Sequence, residues 1–319
     1  MLQHQQLINK AKALGIHVTD ASALMQRPSA ILDYNGTSEL VMDGVPTSWI
    51  NVRSQFYCDN KQLTKLAYSS LGIPHPKSIT FKTAEEPKLA NFLKEGQIYV
   101  CKPLDATNGI GVVMGIKSLD EVKTYYGQHQ YLNTLFLLEE QITGKDLRIH
   151  VIEGKIVAAC IREPAFVTGN GKDNLETLIE KRRAIMRTQN PNNFLEIDTA
   201  TKALLKAQQI TLSDIPEPNQ KINLKYVSNM AQGGIAIDVT NEIHPTFQTW
   251  VTALSNYLDT GYFGLDLITT NHQEKPHTHS WVLEINARAD WLHHTFSERK
   301  THDIAGIMLK ALFGAEYTL

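Results

Sequence analysis

The sequence predicts an α+β protein with more than one compact part. Several segments carry apolar residues at helical spacing, and short β-branched runs bounded by Gly, Asn or Pro lie between them. The 319 residues can bury a large core and exceed the usual size of one simple domain. The 42% apolar and 20% charged residues are typical of a soluble globular protein.

Charge and cysteine content exclude several classes of protein. A formal net charge of −2 gives no reason to expect nucleic acid or an acidic membrane as a partner. The three cysteines lie far apart without a C-x-x-C pair, so neither a disulfide framework nor a structural zinc site is expected. Since the sequence has no signal-peptide pattern and no apolar run of membrane-spanning length, we expect a cytoplasmic protein.

The first 55 residues, by a boundary estimate good to about a few residues, form a short α/β lead-in. Residues 2–14 have one apolar helical face, and strands are predicted at 30–33 and 39–42 with Asn35-Gly36 as the turn between them.

Helices and strands continue along the chain. Residues 60–71 have helical spacing, and Thr83 to Glu86 and Ser118 to Glu121 match the capping box that opens a helix. Strands are predicted at 135–140, 146–152, 155–162, 263–268 and 281–286, and later helices at 247–258 and 304–312. The polar segment 167–198 contains one predicted helix, roughly 175–187, and such a long excursion is typical of a lid or a mobile loop.

Residues 99–116 predict a β-hairpin with Lys102 at the end of its first strand and a small, polar, glycine-bearing turn. A strand holds the ammonium group in one place, and backbone N–H groups of such a turn can surround an anion. This arrangement suits a polyphosphate. An ordinary hairpin with a surface lysine is at least as consistent with this stretch alone.

Two carboxylates interrupt apolar strands. Asp266 lies within G-L-D-L-I, and Glu284 and Asn286 lie two apart in W-V-L-E-I-N, so the latter two share a face. A buried carboxylate needs compensation. A hard divalent cation such as Mg²⁺ would supply it, and so would ion pairs with Arg148, Arg162 or Arg288; the strands alone favour neither reading.

Taken in order, four blocks resemble the signature of the ATP-grasp superfamily: K-P-L-D-A-T-N-G-I-G-V, L-E-E-Q-I-T-G-K-D-L-R-I-H-V-I-E-G-K-I-V-A-A, G-L-D-L-I and E-I-N-A. Two further blocks, R-E-P-A-F-V-T-G-N-G-K-D-N-L-E-T-L-I and S-N-M-A-Q-G-G-I-A-I-D-V-T-N-E-I-H-P, resemble the ATP-grasp domains of cyanophycin synthetase and bifunctional glutathione synthetase. The resemblance covers roughly residues 56–300.

The resemblance implies an ATP-grasp fold, in which two α+β subdomains clasp ATP. Residues 56–133 would form the small subdomain with the Lys102 hairpin. Residues 134–319 would form the C-terminal subdomain with the lid at about 167–198 and the metal site. It also implies an ATP-dependent carboxylate–amine ligase, in which the γ-phosphate of ATP passes to a substrate carboxylate and an amine attacks the acyl phosphate to form an amide.

The resemblance also assigns roles to residues. Lys102 would lie over the α- and β-phosphates with Lys61 as a second phosphate lysine, and the turn of residues 105–111 would close over the triphosphate. The remaining residues of this ATP site would be Asn108, Gly109 and Gly111 in that turn, Glu139, Glu140 and Ile142 at the adenine, and Asp146 at the ribose hydroxyls.

Asp266, Glu284 and Asn286 would ligate Mg²⁺ as a pair of ions, with Mn²⁺ as an alternative metal. Arg148 and Arg162 would reach the transferred phosphoryl group, where a guanidinium suits bidentate contact, and Lys102 completes the catalytic set.

The pattern departs from the resembled enzymes in two places. Residues 228–234 read S-N-M-A-Q-G-G, where the resembled enzymes usually read S-N-x-S-T-G-G. This loop is a predicted substrate loop, so its last residues, Gln232, Gly233 and Gly234, are candidate substrate contacts. After Asn286, Arg288 could bind a substrate carboxylate or pair locally with Asp290. His293 is a further substrate candidate, while His272, His277 and His279 predict a solvated hairpin tip rather than a zinc site.

The prediction is therefore a ligase acting on amino acids or small peptides, with a homodimer as the family's common state. Alternatives are glutathione synthetase proper, a D-alanine–D-alanine-like ligase, or a nucleotide-binding regulatory module without catalysis. A bicarbonate-using carboxylase subunit would be expected with a biotin or partner domain.

Overall fold

The structure, a computed structural model, describes residues 2–105, 111–189, 193–226, 228 and 230–314. The chain divides into two compact units. Unit 1 consists of Met1–Val45, Ala158–Thr240 and Asp290–Leu319, and unit 2 consists of Pro46–Val157 and Asn241–Ala289. The subdomain boundaries near residues 55 and 133 stay a prediction.

The lead-in of unit 1 contains α1 (Leu2–Ala13), β1 (His17–Asp20), α2 (Ser22–Met25), β2 (Ser29–Tyr34), β3 (Thr37–Met42) and β4 (Val45–Pro46), with sheet order β1-β2-β3-β4. The β2–β3 turn is at Asn35-Gly36, whose φ angles of 48° and 80° are the left-handed pair that a two-residue hairpin needs. The predicted helix, both strands and their turn are confirmed.

Unit 2 begins with two helices and a four-stranded sheet: α3 (Val52–Asp59), α4 (Lys61–Ser70), β5 (Ser78–Phe81), α5 (Lys88–Phe92), β6 (Tyr99–Pro103), β7 (Val113–Ile116), α6 (Leu119–His129) and β8 (Phe136–Glu140). The sheet order is β5-β8-β6-β7. Because β6 pairs antiparallel with β7, from Tyr99 opposite Ile116 to Cys101 opposite Val113, the predicted hairpin is confirmed.

The two predicted capping boxes differ in outcome. Ser118 accepts a hydrogen bond from the Glu121 N–H (3.3 Å), and α6 begins directly after it as predicted. The start predicted at Thr83 is wrong, because the helix there begins at Lys88. Glu86 does accept from the Thr83 N–H (3.0 Å), but it precedes Pro87, and a residue before proline disfavours the helical conformation.

The chain continues through β9 (Lys145–Ile152) and β10 (Lys155–Glu163) into the excursion of unit 1. This contains β11 (Phe166–Thr168), α7 (Leu175–Gln189), α8 (Thr199–Ala207), β12 (Lys221–Asn223) and β13 (Ile235–Asp238). β11 pairs with β12, and apolar residues such as Leu175, Leu195 and Leu224 form a separate buried cluster. The predicted helix near 175–187 is confirmed, and the segment around it is packed; its role as a lid stays a prediction.

Unit 2 ends with α9 (Phe247–Leu258), β14 (Phe263–Thr269), α10 (Pro276–His279) and β15 (Ser280–Asn286), and unit 1 ends with α11 (Leu292–Thr295) and α12 (Ile304–Phe313). In unit 2, β14 pairs antiparallel with both β9 and β15. The acids predicted to bind metal lie on β14 and β15, and Arg148 lies on β9. No described helix is long and apolar enough to cross a membrane, and all three cysteines are free thiols.

Candidate active site

Three charged residues form a row across β9, β14 and β15. On the central strand, Asp266 lies opposite Arg148 of β9 and opposite Glu284 of β15. Directly opposite residues of antiparallel strands point to the same face. The Arg148 Nε lies 2.5 Å from Asp266 Oδ1, and both side chains are more than nine-tenths buried. The two acids predicted to bind metal therefore lie beside the arginine predicted to bind the transferred phosphoryl group.

Asn286 lies beside this row, and we call the four residues together the acidic cluster (Arg148, Asp266, Glu284 and Asn286). The Asn286 Nδ2 lies 3.1 Å from Asp266 Oδ2 and 3.5 Å from Glu284 Oε1. The structure thus brings the three predicted metal ligands together. Two carboxylates face one guanidinium here, which leaves one negative charge.

Gly264 leaves room for the Arg148 guanidinium. A Cβ built on Gly264 would collide with Arg148 Nη1 and would lie 2.7 Å from Ala289 Cβ. Only glycine leaves this space, so G-L-D requires its first residue for the guanidinium as well as its third for the carboxylate.

A second cluster, which we call the basic cluster (Lys65, Lys102 and Glu139), lies on α4, β6 and β8 of the same unit. Glu139 Oε1 accepts from Lys102 Nζ, and Glu139 Oε2 accepts from Lys65 Nζ at 2.8 Å. Burial raises the pKa of the Glu139 carboxyl, but attraction by Lys102 and Lys65 outweighs it and keeps that pKa below its usual range. Two ammonium groups face one carboxylate, which leaves one positive charge.

Lys61, the other predicted phosphate lysine, begins α4 directly after its capping residue Asn60. Its Nζ donates to the Leu104 carbonyl at 3.5 Å. Leu104 directly precedes the turn of residues 105–111 that is predicted to close over the triphosphate, which we call the flap. Burial lowers the pKa of Lys61, and the charge of Glu284 opposes that shift while the charge of Lys102 adds to it. Lys61 is therefore within electrostatic range of both clusters.

The segment predicted to bind adenine, Glu139 to Ile142, lies at the end of β8, and we call it the hinge. The N–H groups of Glu140 and Gln141 donate to the carbonyls of Lys77 and Ile98, both at 2.9 Å. Ile142 comes next and is half-buried, and Asp146, also half-buried, lies opposite Ile268 where β9 pairs with β14.

The predicted flap lies only partly within the described residues. Asn108 and Gly109 lie outside them. Gly111 has a φ of +68°, and a Cβ there would lie 2.8 Å from Pro103 Cγ, so this position requires glycine. Its carbonyl accepts from the Tyr125 hydroxyl at 2.9 Å. The second arm of the hairpin is thus anchored to α6.

The remaining predicted site residues, apart from Arg288, lie in unit 1. Arg162 is on β10 opposite Ala236 of β13. Gln232 is exposed at the end of a 3₁₀ turn (Met230–Gln232), and Gly233 and Gly234 behind it are buried. His293 is also buried.

The buried His293 lies in a compact group. One ring nitrogen each of His293 and His294 and the Sγ of Cys160 lie within 4.8 Å of one another. His272, His277 and His279 form no such group in the part of the chain that the structure describes. The prediction that these histidines are exposed to solvent is confirmed for His277. It is wrong for His272, which is buried near Glu242.

Arg288 is exposed at the end of β15, and its Nη2 donates to Gln55 Oε1 on α3 at 3.3 Å. The alternative prediction named Asp290, whose carboxylate accepts from the Leu292 N–H at 2.8 Å. Arg288 is thus hydrogen-bonded to a neutral side chain, and this contact does not compensate the charge of its guanidinium.

Lys65, Gly264 and Gln55 are the site residues that sequence reasoning missed. A signal exists for Lys65, because it lies four residues after Lys61 in D-N-K-Q-L-T-K and therefore on the same helical face. For Gly264 the signal is its place two residues before the buried Asp266. For Gln55 we find none.

Solved structures with similar folds identify the architecture. A bifunctional glutathione synthetase from Pasteurella multocida superposes with a TM-score of 0.74 and 23% sequence identity, covering 98% of this chain and 43% of that chain. D-alanine–D-alanine ligase from Bacillus anthracis superposes with a TM-score of 0.51 and 17% identity over 83% of this chain and 69% of that chain. This chain has the ATP-grasp fold.

The sequence relatives of this chain are longer proteins. Cyanophycin synthetase from Geminocystis herdmanii is 31% identical over 268 residues, which are 80% of this chain and 30% of that protein. The glutathione biosynthesis bifunctional protein GshAB from Mannheimia succiniciproducens is 24% identical over 316 residues, or 94% of this chain and 41% of that protein. The chain therefore spans less than half of either relative. No protein-family model matches it.

Proposed function

We propose that this protein is an ATP-dependent carboxylate–amine ligase that joins amino acids or small peptides by an amide bond. One observation carries the proposal: within one unit the ATP-grasp fold presents a positively charged and a negatively charged cluster, and Lys61 interacts electrostatically with both. Phosphoryl transfer needs cations on the phosphates and carboxylates for a divalent metal. The names of the relatives, cyanophycin synthetase and glutathione biosynthesis protein, support the same class of reaction.

The basic cluster fits the polyphosphate of ATP. Lys102 and Lys61 would bind the phosphate oxygens, and the hairpin turn of residues 105–111 would close over them. Because Lys102 is held by Glu139 on a neighbouring strand, its ammonium is in place before ATP binds. A preplaced cation needs little reorganisation when phosphate arrives.

The nucleoside would bind at the hinge after β8. Since the N–H groups of Glu140 and Gln141 are already donated within the fold, contact with the adenine would fall to the backbone of Ile142. Asp146 would bind the ribose hydroxyls at the start of β9.

The donor set of the acidic cluster fits a hard divalent cation, since it supplies two carboxylates and an amide oxygen. Asp266, Glu284 and Asn286 would hold Mg²⁺, as a pair of ions, with Mn²⁺ as an alternative. When bound, the metal would neutralise charge on the phosphate oxygens. Until then the Arg148 guanidinium and the Asn286 amide compensate the carboxylates.

Arg148 would have a second role when a metal ion is bound at the acidic cluster. Its Nη1 is buried and has no hydrogen-bond acceptor among the described residues. An oxygen of the transferred phosphoryl group would satisfy that nitrogen and place positive charge where the acyl phosphate forms. We also assign Arg162 to the transferred phosphoryl group.

The substrates bear the reacting groups, so the chain need supply no nucleophile. A substrate carboxylate accepts the phosphoryl group, and the amine of a second substrate displaces phosphate to form the amide. We assign Gln232, Gly233, Gly234, Arg288 and His293 to substrate contact. We further propose that the protein acts in the cytoplasm as a homodimer.

The test is phosphate release from Mg·ATP in the presence of pooled amino acids and small peptides, with mass spectrometry of the products. We expect release that requires two substrates and an amide product one water lighter than their sum. γ-Glutamylcysteine with glycine, and D-alanine alone, are separate reactions that test the two alternative ligases. Binding of Mg·ATP without turnover in any pool would contradict the ligase and favour a regulatory module.

A further inference from the structure

Lys65 is a buried cation that takes no direct part in the proposed chemistry. It lies on α4, one helical turn after Lys61, and its side chain is 2% exposed. Its ammonium donates to Glu139 Oε2 at 2.8 Å and to the Pro76 carbonyl at 2.9 Å. Both acceptors belong to unit 2.

Burying this ammonium is unfavourable. Desolvation lowers the pKa of Lys65, although the attraction of Glu139 opposes the shift. An apolar side chain of similar length would fill the same space without that cost. The ammonium therefore has a purpose other than packing, and its principal charged partner is Glu139.

Glu139 divides its carboxylate between two lysines. One oxygen accepts from Lys65 and the other from Lys102, the lysine that we place on the phosphates. If Glu139 had Lys102 as its only cation, the whole negative charge would be neutralised by that lysine. Lys102 would then compete less well for phosphate oxygens and be held in a different direction.

We propose that Lys65 is a positioning residue for ATP binding, acting through Glu139 on Lys102. It orients the Glu139 carboxylate so that Oε1 faces Lys102, and it takes up part of the carboxylate charge so that Lys102 remains available to phosphate. This inference rests on the proposed function, since it assumes that Lys102 binds polyphosphate.

The experiment is isothermal titration calorimetry of ATP, ADP and adenosine with the full chain and its Lys65→Met variant. We expect Lys65→Met to weaken ATP and ADP binding by about tenfold, which is a fraction of what a charged hydrogen bond contributes. Adenosine binding should not change, because adenosine has no phosphate for Lys102. Ala67→Gly is the matched control, since Ala67 is buried on the same helix and carries no charge.

A double-mutant cycle tests whether the effect passes through Glu139. In a Glu139→Gln background, Lys65→Met should leave ATP affinity unchanged within about twofold, because the charge that Lys65 shares is gone. This double variant removes Lys65 together with the carboxylate that binds it and leaves the net charge of the cluster unchanged, so it serves as a second comparison if Lys65→Met alone is unstable.

Three results would overturn the inference alone: equal losses of ATP affinity in Lys65→Met and Ala67→Gly, an equal loss for adenosine and ATP, or a full Lys65→Met effect that persists in Glu139→Gln. Failure of the unaltered protein to bind ATP would instead contradict the proposed function together with this inference.

Discussion

The basic cluster and the acidic cluster solve the problem of buried charge in opposite ways. At Glu139 one carboxylate is bound by two ammonium groups, so the cluster keeps a positive charge. At Asp266 and Glu284 two carboxylates share one guanidinium and one amide, so that cluster keeps a negative charge. Each cluster is thus partly compensated and keeps a net charge that, under the proposed function, would attract a ligand of the opposite sign.

The largest expected effect comes from weakening the acidic cluster. Glu284→Gln removes its excess negative charge, and we expect turnover to fall by about 10²–10³-fold, because a metal that stabilises phosphoryl transfer contributes several kcal/mol. Phosphate release at saturating ATP measures this. Glu274→Gln, an exposed carboxylate in the same unit, is the control and should keep full activity. Equal turnover of the two variants would remove the metal role of Glu284.

Part of the acidic cluster can be predicted from local spacing. Glu284 and Asn286 lie two apart on one strand and therefore share a face. That Asp266 joins them is implied only by the resemblance to the ATP-grasp signature. The hairpins, the helix at Leu175 and the strand at Phe263 could likewise be recognised from local spacing. Such features depend on residues near one another in the chain.

Features that depend on distant residues could not be predicted in the same way. Lys65 lies on an amphipathic helix, where a lysine is normally exposed, and its burial depends on Glu139 from a strand 74 residues away. The requirement for glycine at position 264 arises from the Arg148 side chain, which belongs to a different strand. The two units each combine distant segments of the chain, and local periodicity contains no information about which segments pack together.

Arg148→Met tests how the acidic cluster is compensated. Removing the guanidinium leaves Asp266 without this cation, and we expect the free energy of unfolding in EDTA to fall by about 3 kcal/mol. Mg²⁺ should recover part of this loss, because the metal supplies the missing positive charge. Chemical denaturation with and without Mg²⁺ gives both numbers. A loss unaffected by Mg²⁺ would indicate that the metal does not reach Asp266.

Lys102→Met tests the basic cluster. The variant loses the cation that we place on the phosphates, and a charged hydrogen bond corresponds to about 1.5–3 kcal/mol, so ATP affinity should fall by about 30-fold. Calorimetric titration measures it, and Lys94→Met, a lysine outside both clusters, is the control. Unchanged affinity would show that Lys102 only neutralises Glu139.

His150 lies two residues after Arg148 on β9, and as a neutral imidazole it adds no charge to the neighbourhood of the acidic cluster. Burial, and secondarily the charge of Arg148, lower the pKa of His150 to about 3. The unfolded chain binds a proton near pH 6.5, so His150 supports the fold fully above that pH and progressively less as the pH falls toward 3. Relative to His150→Phe, the unaltered protein should lose about 2 kcal/mol of stability between pH 7 and pH 5. Parallel pH dependences of the two proteins would contradict the neutral buried imidazole.

The smallest effect is expected at Arg288, which lies outside both clusters. Its side chain is exposed and donates to Gln55, so Arg288→Ala should change the free energy of unfolding by less than about 0.5 kcal/mol. We expect the KM of one substrate to rise several-fold while ATP affinity stays the same. Steady-state kinetics with the identified substrates decides, and an unchanged KM for both would remove Arg288 from the substrate site.

The most direct test of the two-cluster account is ATP binding to the unaltered protein, Lys102→Met and Glu284→Gln, each titrated in EDTA and in Mg²⁺. We predict that Lys102→Met weakens ATP binding under both conditions, because it acts on the phosphates themselves. Glu284→Gln should weaken binding only when Mg²⁺ is present. If Glu284→Gln weakens binding equally in EDTA, or if Lys102→Met matters only with Mg²⁺, the assignment of anion and cation to the two clusters is wrong.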